Sequence, residues 1–143
     1  MKKSCSESII LYFFVAIIFL LLYSVLFPPS GEKVLGDGYF YLECEGHTRH
    51  IYYWEEGDST IVFIPPEVLS YVNTSMYILA KQKPKQFDEA IYEKFYNYPS
   101  GRDTTYYWFV DKQKKDLMGP LLLSEMESFL REKNLMEMLR KLK

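Results

Sequence analysis

Five neighbouring residues carry side chains able to do chemistry: Glu43, Cys44, Glu45, His47 and His50. His47 and His50 are the chain's two histidines. On extended backbone successive side chains alternate faces, so Glu43, Glu45 and His47 share one face and His50 takes the other. Two carboxylates and an imidazole on one face form a three-ligand set for a divalent cation. Gly46 interrupts that alternation, and adjacent carboxylates are ordinary on a solvated strand edge. The solvated edge is therefore the leading reading and the metal site the sharper one. Cys44 with His47 or His50 would make a thiol–imidazole pair, and Ser59 sits in a Gly57-Asp58-Ser59-Thr60 turn. Nucleophilic catalysis needs a base that activates the thiol or hydroxyl. Nothing local specifies one, and Ser59 lacks the flanking glycines of a nucleophile elbow. The sequence holds no phosphate-binding loop, dinucleotide fingerprint or Cys-x-x-Cys pair. It assigns no catalytic residue, no metal and no cofactor.

A second kind of chemistry is contact. The chain has 13 tyrosines, 11 of them beyond residue 27, and they cannot all be core in so small a domain. Tyr and Trp are favoured contact residues when exposed. Tyr92, Tyr96 and Tyr98 surround one helix end and its loop and form the candidate contact patch, with ordinary packing as the alternative for each. Lys112, Lys114 and Lys115 read as a solvated hairpin tip. A net charge of -2 with both signs mixed gives no footprint for nucleic acid.

The elements that position these residues begin with an apolar run. Residues 9–27, bounded by Ile9 and Phe27, contain no charge, and 15 of the 19 are Ile, Leu, Val or Phe. As a helix the run is roughly 28 Å long, close to the thickness of a bilayer's hydrocarbon. Pro28 and Pro29 stop it. The run exceeds the apolar region of a signal peptide and lacks a small-x-small exit, so an uncleaved anchor is preferred to a cleaved signal. Lys2 and Lys3 precede it, and only Lys33 follows closely. The positive-inside rule then places residues 1–8 in the cytoplasm and the rest in the periplasm or outside the cell. With that topology Cys5 and Cys44 lie on opposite sides of the membrane, and the outer domain folds without an internal disulfide.

Residues 28–37 read as a linker and 38–143 as one extracytoplasmic domain. Turn signals at Asp37-Gly38, Glu45-Gly46 and Glu56-Gly57-Asp58 separate β-rich runs at 39–44, 48–54 and 60–64. Short turns imply antiparallel neighbours. Pro65-Pro66 ends the third run; residues 68–72 are strand or turn, and 76–81 a strand. Residues 87–96 have helical periodicity. Residues 104–110 are apolar without alternation, as in a strand buried on both faces, followed by a short return strand at Leu117 and Met118. Ser124 and Glu127 match a capping box. The apolar stripe behind them changes sides, so a break is expected near Asn134. The fold class is α+β: an N-terminal transmembrane helix, then a small antiparallel β-sheet domain with one or two packed helices.

Several segments stand out together: Ile78-Leu79-Ala80-Lys81-Gln82, Tyr107-Trp108-Phe109-Val110-Asp111-Lys112, Gly119-Pro120-Leu121, and Glu125 with Phe129. This ordered set resembles an uncharacterised bacterial family of small exported, often lipid-anchored proteins, a domain of unknown function. The resemblance covers roughly residues 60–134 and implies a bacterial, exported domain. It brings no activity and no catalytic residues. The apolar run here is not followed by a lipoprotein cysteine, which favours the plain helix. The function expected is a membrane-tethered, non-catalytic binding or interaction module. The alternatives are a small hydrolase or metal-dependent enzyme, and an inhibitor or immunity-type protein.

Overall fold

The computed structural model describes residues 12, 15–19, 31–44, 48–54, 61–84 and 96–142. The chain divides into two units, Met1–Ser30 and Gly31–Lys143. In the first, Tyr12 and residues 15–19 are helical; the rest of the 9–27 run lies outside the described residues. Among the described residues no helix is long and apolar enough to cross a membrane.

In the second unit, β-branched and aromatic runs fold back on one another at short turns. Among the described residues the result is eight strands: β1 (Gly31–Gly36), β2 (Tyr39–Cys44), β3 (Thr48–Tyr53), β4 (Ile61–Ile64), β5 (Val68–Asn73), β6 (Tyr77–Gln82), β7 (Tyr106–Asp111) and β8 (Asp116–Leu121). Two short helices follow, α1 (Leu123–Glu132) and α2 (Met136–Lys141). Every strand pairing is antiparallel. The strands form two four-stranded sheets, β1-β2-β3-β4 and β5-β6-β7-β8, where a single sheet was expected. Pro65 and Pro66 lie between β4 and β5, and proline cannot extend a hydrogen-bonded ladder, so the chain leaves one sheet there and starts the other.

The second sheet is the middle layer. Ile78, Ala80, Trp108 and Val110 pack with Leu35, Tyr39, Ile51 and Ile64 of the first sheet. Leu79, Tyr107 and Phe109 point the other way and pack with Met126, Leu130, Met138 and Leu142 of the helices. This explains why β7 lacks alternation. Its first five residues are all buried because both faces are covered.

Other expectations change. Gly31–Gly36 is an edge strand and not linker. Its polar, exposed sequence hides a strand whose ladder comes from β2. Residues 68–72 are strand. Of the expected helix at 87–96 only Tyr96 is described, and it is not helical. The capping box is misplaced. Ser124 is inside α1, and the Leu122 amide donates to the Glu125 carboxylate at 2.7 Å. The break at Asn134 is present, with φ of 57° between the two helices.

Candidate functional site

Glu43 lies exposed on β2, paired in register with Arg49. Its carboxylate accepts a 3.5 Å hydrogen bond from the Tyr41 hydroxyl. Glu45 and His47 lie outside the described residues. His50 sits opposite Leu42 in the ladder, one residue on from Arg49, so Glu43 and His50 occupy different faces. Burial lowers the His50 imidazole below its ordinary pKa. Among the described residues no three acidic, histidine or cysteine side chains gather as a metal site.

Of the expected contact patch, Tyr92 lies outside the described residues. Tyr96 and Tyr98 are half-buried and pack against the core between the sheets. The Tyr96 ring meets Trp108 edge-on at 4.8 Å, and its hydroxyl donates to the Phe63 carbonyl at 3.4 Å. Burial, with Tyr98 nearby, pushes its phenol up to about 12. The Tyr98 ring lies 5.0 Å from Tyr106, and Arg102 sits over its outer face at 5.1 Å.

The segments that stood out in the sequence converge on two buried polar centres. Gln82 is fully buried at the end of β6. Its carbonyl oxygen accepts from the Trp108 indole at 2.6 Å, and its amide donates to the carbonyls of Pro66 at 2.6 Å and Pro65 at 3.1 Å and to the Tyr98 hydroxyl at 3.3 Å. Gly119 completes this centre. Its φ is +139°, and a Cβ there would meet Trp108 Cε3 at 2.6 Å. Only glycine accepts that backbone against an indole.

The second centre is Lys112. The hairpin tip proves asymmetric: Lys114 and Lys115 are exposed, whereas Lys112 is 4% exposed. Its ammonium donates to the Leu35 carbonyl of β1 at 2.6 Å and to the Thr74 carbonyl of the β5–β6 turn at 2.7 Å. One amine thus ties the first sheet to the second. Burial lowers its pKa, with Asp37 pulling it back up. Asn73 adds a parallel tie, its amide donating to the same Leu35 carbonyl at 3.0 Å. A lysine in a run of lysines gives no sequence signal of this role.

Two concavities among those lined by the described residues combine aromatic and charged side chains. One, of about 150 Å³, lies where Tyr77, Phe109 and Phe129 meet Asp111 and Lys114. Its charges answer each other: Lys114 lies 3.9 Å from Asp111, and Lys133 sits 5.9 Å above Phe129. The other is a larger groove between β1 and β5, lined by Lys33, Val34, Tyr41, Leu69 and Tyr71 among others.

Residues 36–141 match the sequence model of a family described as "Protein of unknown function (DUF3997)". The chain belongs to this family. The match begins on the last residue of β1 and ends on the last residue of α2, so the family's domain is nearly the whole second unit. No curated protein and no solved structure matches the chain. Gln82, Trp108, Lys112 and Gly119 hold the fold together.

Proposed function

We propose that this chain is a membrane-tethered extracytoplasmic module that binds a partner and performs no catalysis. The observation carrying this reading is that Gln82 and Lys112, two polar residues of its prominent motifs, are spent inside the fold. Gln82 and Lys112 each satisfy two or more internal carbonyls. A catalytic group must instead reach a substrate. The apolar run at 9–27 ends before the family domain begins at residue 36, an arrangement that suits a tether followed by a separate folded head. Lys2 and Lys3 before the run support an outward-facing head. Tethering confines the head to a shell near the bilayer and raises its effective concentration for a partner there.

The test separates binding from metal-dependent catalysis. The full chain in detergent is melted with and without zinc or manganese and assayed against ester, peptide and phosphoester substrates. The binding reading expects no metal-dependent shift and no turnover. A melting rise on adding metal, abolished in His47→Ala, would replace it with the enzyme reading.

A further inference from the structure

β1 and β5 are the terminal strands of their sheets. Among the described residues each pairs on one side, β1 with β2 and β5 with β6. A strand edge left this way offers a row of backbone donors and acceptors for another strand. The two edges are tied where the Leu35 carbonyl of β1 accepts from the Asn73 amide of β5. Beside that tie lies the groove, about 590 Å³ in volume.

The groove is built of few parts. Its floor is the Tyr41–Tyr71 pair, with ring centroids 4.8 Å apart. Val34 and Leu69 flank it, 69% and 42% exposed. Lys33 lies across the floor, its ammonium 5.8 Å from the Tyr71 centroid, and is the one charged residue among the described residues lining the groove. The neighbouring acids are turned elsewhere. Glu43 accepts from Tyr41, and Glu32 hydrogen-bonds Tyr52. Among the described residues no carboxylate pairs with Lys33.

Open edges, apolar walls and a single cation together select the occupant. An acyl chain would leave the edge amides without partners. A second copy pairing β1 with β1 about Lys33 would set two lysines opposite each other, which is destabilising. An extended peptide satisfies the edge, fills the walls with alternate side chains and can bring a carboxylate to Lys33. The free part of β1, Gly31 to Val34, is roughly 10–13 Å long, the span of about four extended residues.

We infer that the groove between β1 and β5 binds an extended peptide of about four residues, added as a strand to an open edge, with an acidic side chain on Lys33. The inference rests on the binding-module reading and names the partner class for it. The experiment pans the full chain, held in nanodiscs, against a library of random heptapeptides. A selected peptide is then titrated by fluorescence anisotropy. Enrichment of β-branched and aromatic residues alternating around one Asp or Glu is expected. Lys33→Glu should weaken binding tenfold or more, Leu69→Asp should do likewise, and Lys114→Gln should leave it unchanged. A peptide with Lys in place of its acid should recover affinity for Lys33→Glu, which excludes misfolding as the cause. Selected peptides indifferent to both groove substitutions would overturn the groove assignment and leave the binding module standing. No enrichment, with no partner cross-linked to the tethered chain in cells, would overturn both.

Discussion

Lys112→Met deletes the ammonium of the inter-sheet tie and keeps most of its stem. Two short bonds vanish, 2.6 Å to Leu35 and 2.7 Å to Thr74. Bonds from a charged donor contribute ~1.5–3 kcal/mol each, so the gross loss is ~3–6 kcal/mol. Two features reduce it. The Leu35 carbonyl keeps the Asn73 amide at 3.0 Å. Burial already holds the amine below its ordinary pKa, so desolvation of the ammonium offsets part of the gain. The expected net loss is about 2 kcal/mol, a fall in Tm of roughly 8 °C or more. The assay is urea unfolding of the full chain in detergent, followed by tryptophan fluorescence, since Trp108 is fully buried. Lys114→Met is the control, because its side chain is 74% exposed. It should stay within about 0.5 kcal/mol of the parent, as surface substitutions do. If Lys112→Met proves no more harmful than Lys114→Met, the tie has no energetic role and the reasoning fails.

Gly119→Ala should destabilise by roughly 3 kcal/mol or more in the same assay, since the new Cβ meets Trp108 and the backbone is strained; Gly101→Ala, at φ +78° with open space around it, should cost only about 1–2 kcal/mol. Gln82→Leu leaves the Trp108 indole and the Pro65 and Pro66 carbonyls without a partner, and a loss of about 3 kcal/mol is expected by urea unfolding. Tyr39 is fully buried, and its hydroxyl has no hydrogen-bond partner among the described residues, so Tyr39→Phe should raise stability at pH 7 by about 1 kcal/mol. Burial, with Tyr53 close by, pushes that phenol from 10.0 to about 12. The unfolded chain therefore loses the proton first, and the contribution present below pH 10 is lost as pH rises to 12; a pH series should show Tyr39→Phe falling less over that window.

Much of the fold was readable from the residues. The strands at 39–44, 48–54 and 60–64 announced themselves because short turns separate β-rich runs. The unbroken apolar stretch of β7 marked a strand with both faces covered. The shift of the apolar stripe at Asn134 marked the helix break. What was hidden has a common cause: partners distant in sequence. β1 looks like linker because its polar edge residues gain a ladder only from β2. Lys112 looks like any tip lysine until the carbonyls of Leu35 and Thr74 arrive beside it. The division into two sheets leaves no local mark beyond Pro65 and Pro66, since both sheets have the same hairpin chemistry. Tyr96 and Tyr98 are half-buried, and the packing of their rings on Trp108 and Tyr106 has no mark in the local sequence. The β1–β5 groove could not be found in sequence, because it exists only between two sheets.

The proposed tethered, outward-facing head is tested in cells producing the full chain with a C-terminal epitope tag. Spheroplasts are treated with an external protease, and membranes are washed with alkaline carbonate. A chain of full length that stays in the carbonate-washed membrane and loses its C-terminal tag to external protease is expected. A chain released by carbonate, or one whose tag survives until the membrane is broken, would contradict it.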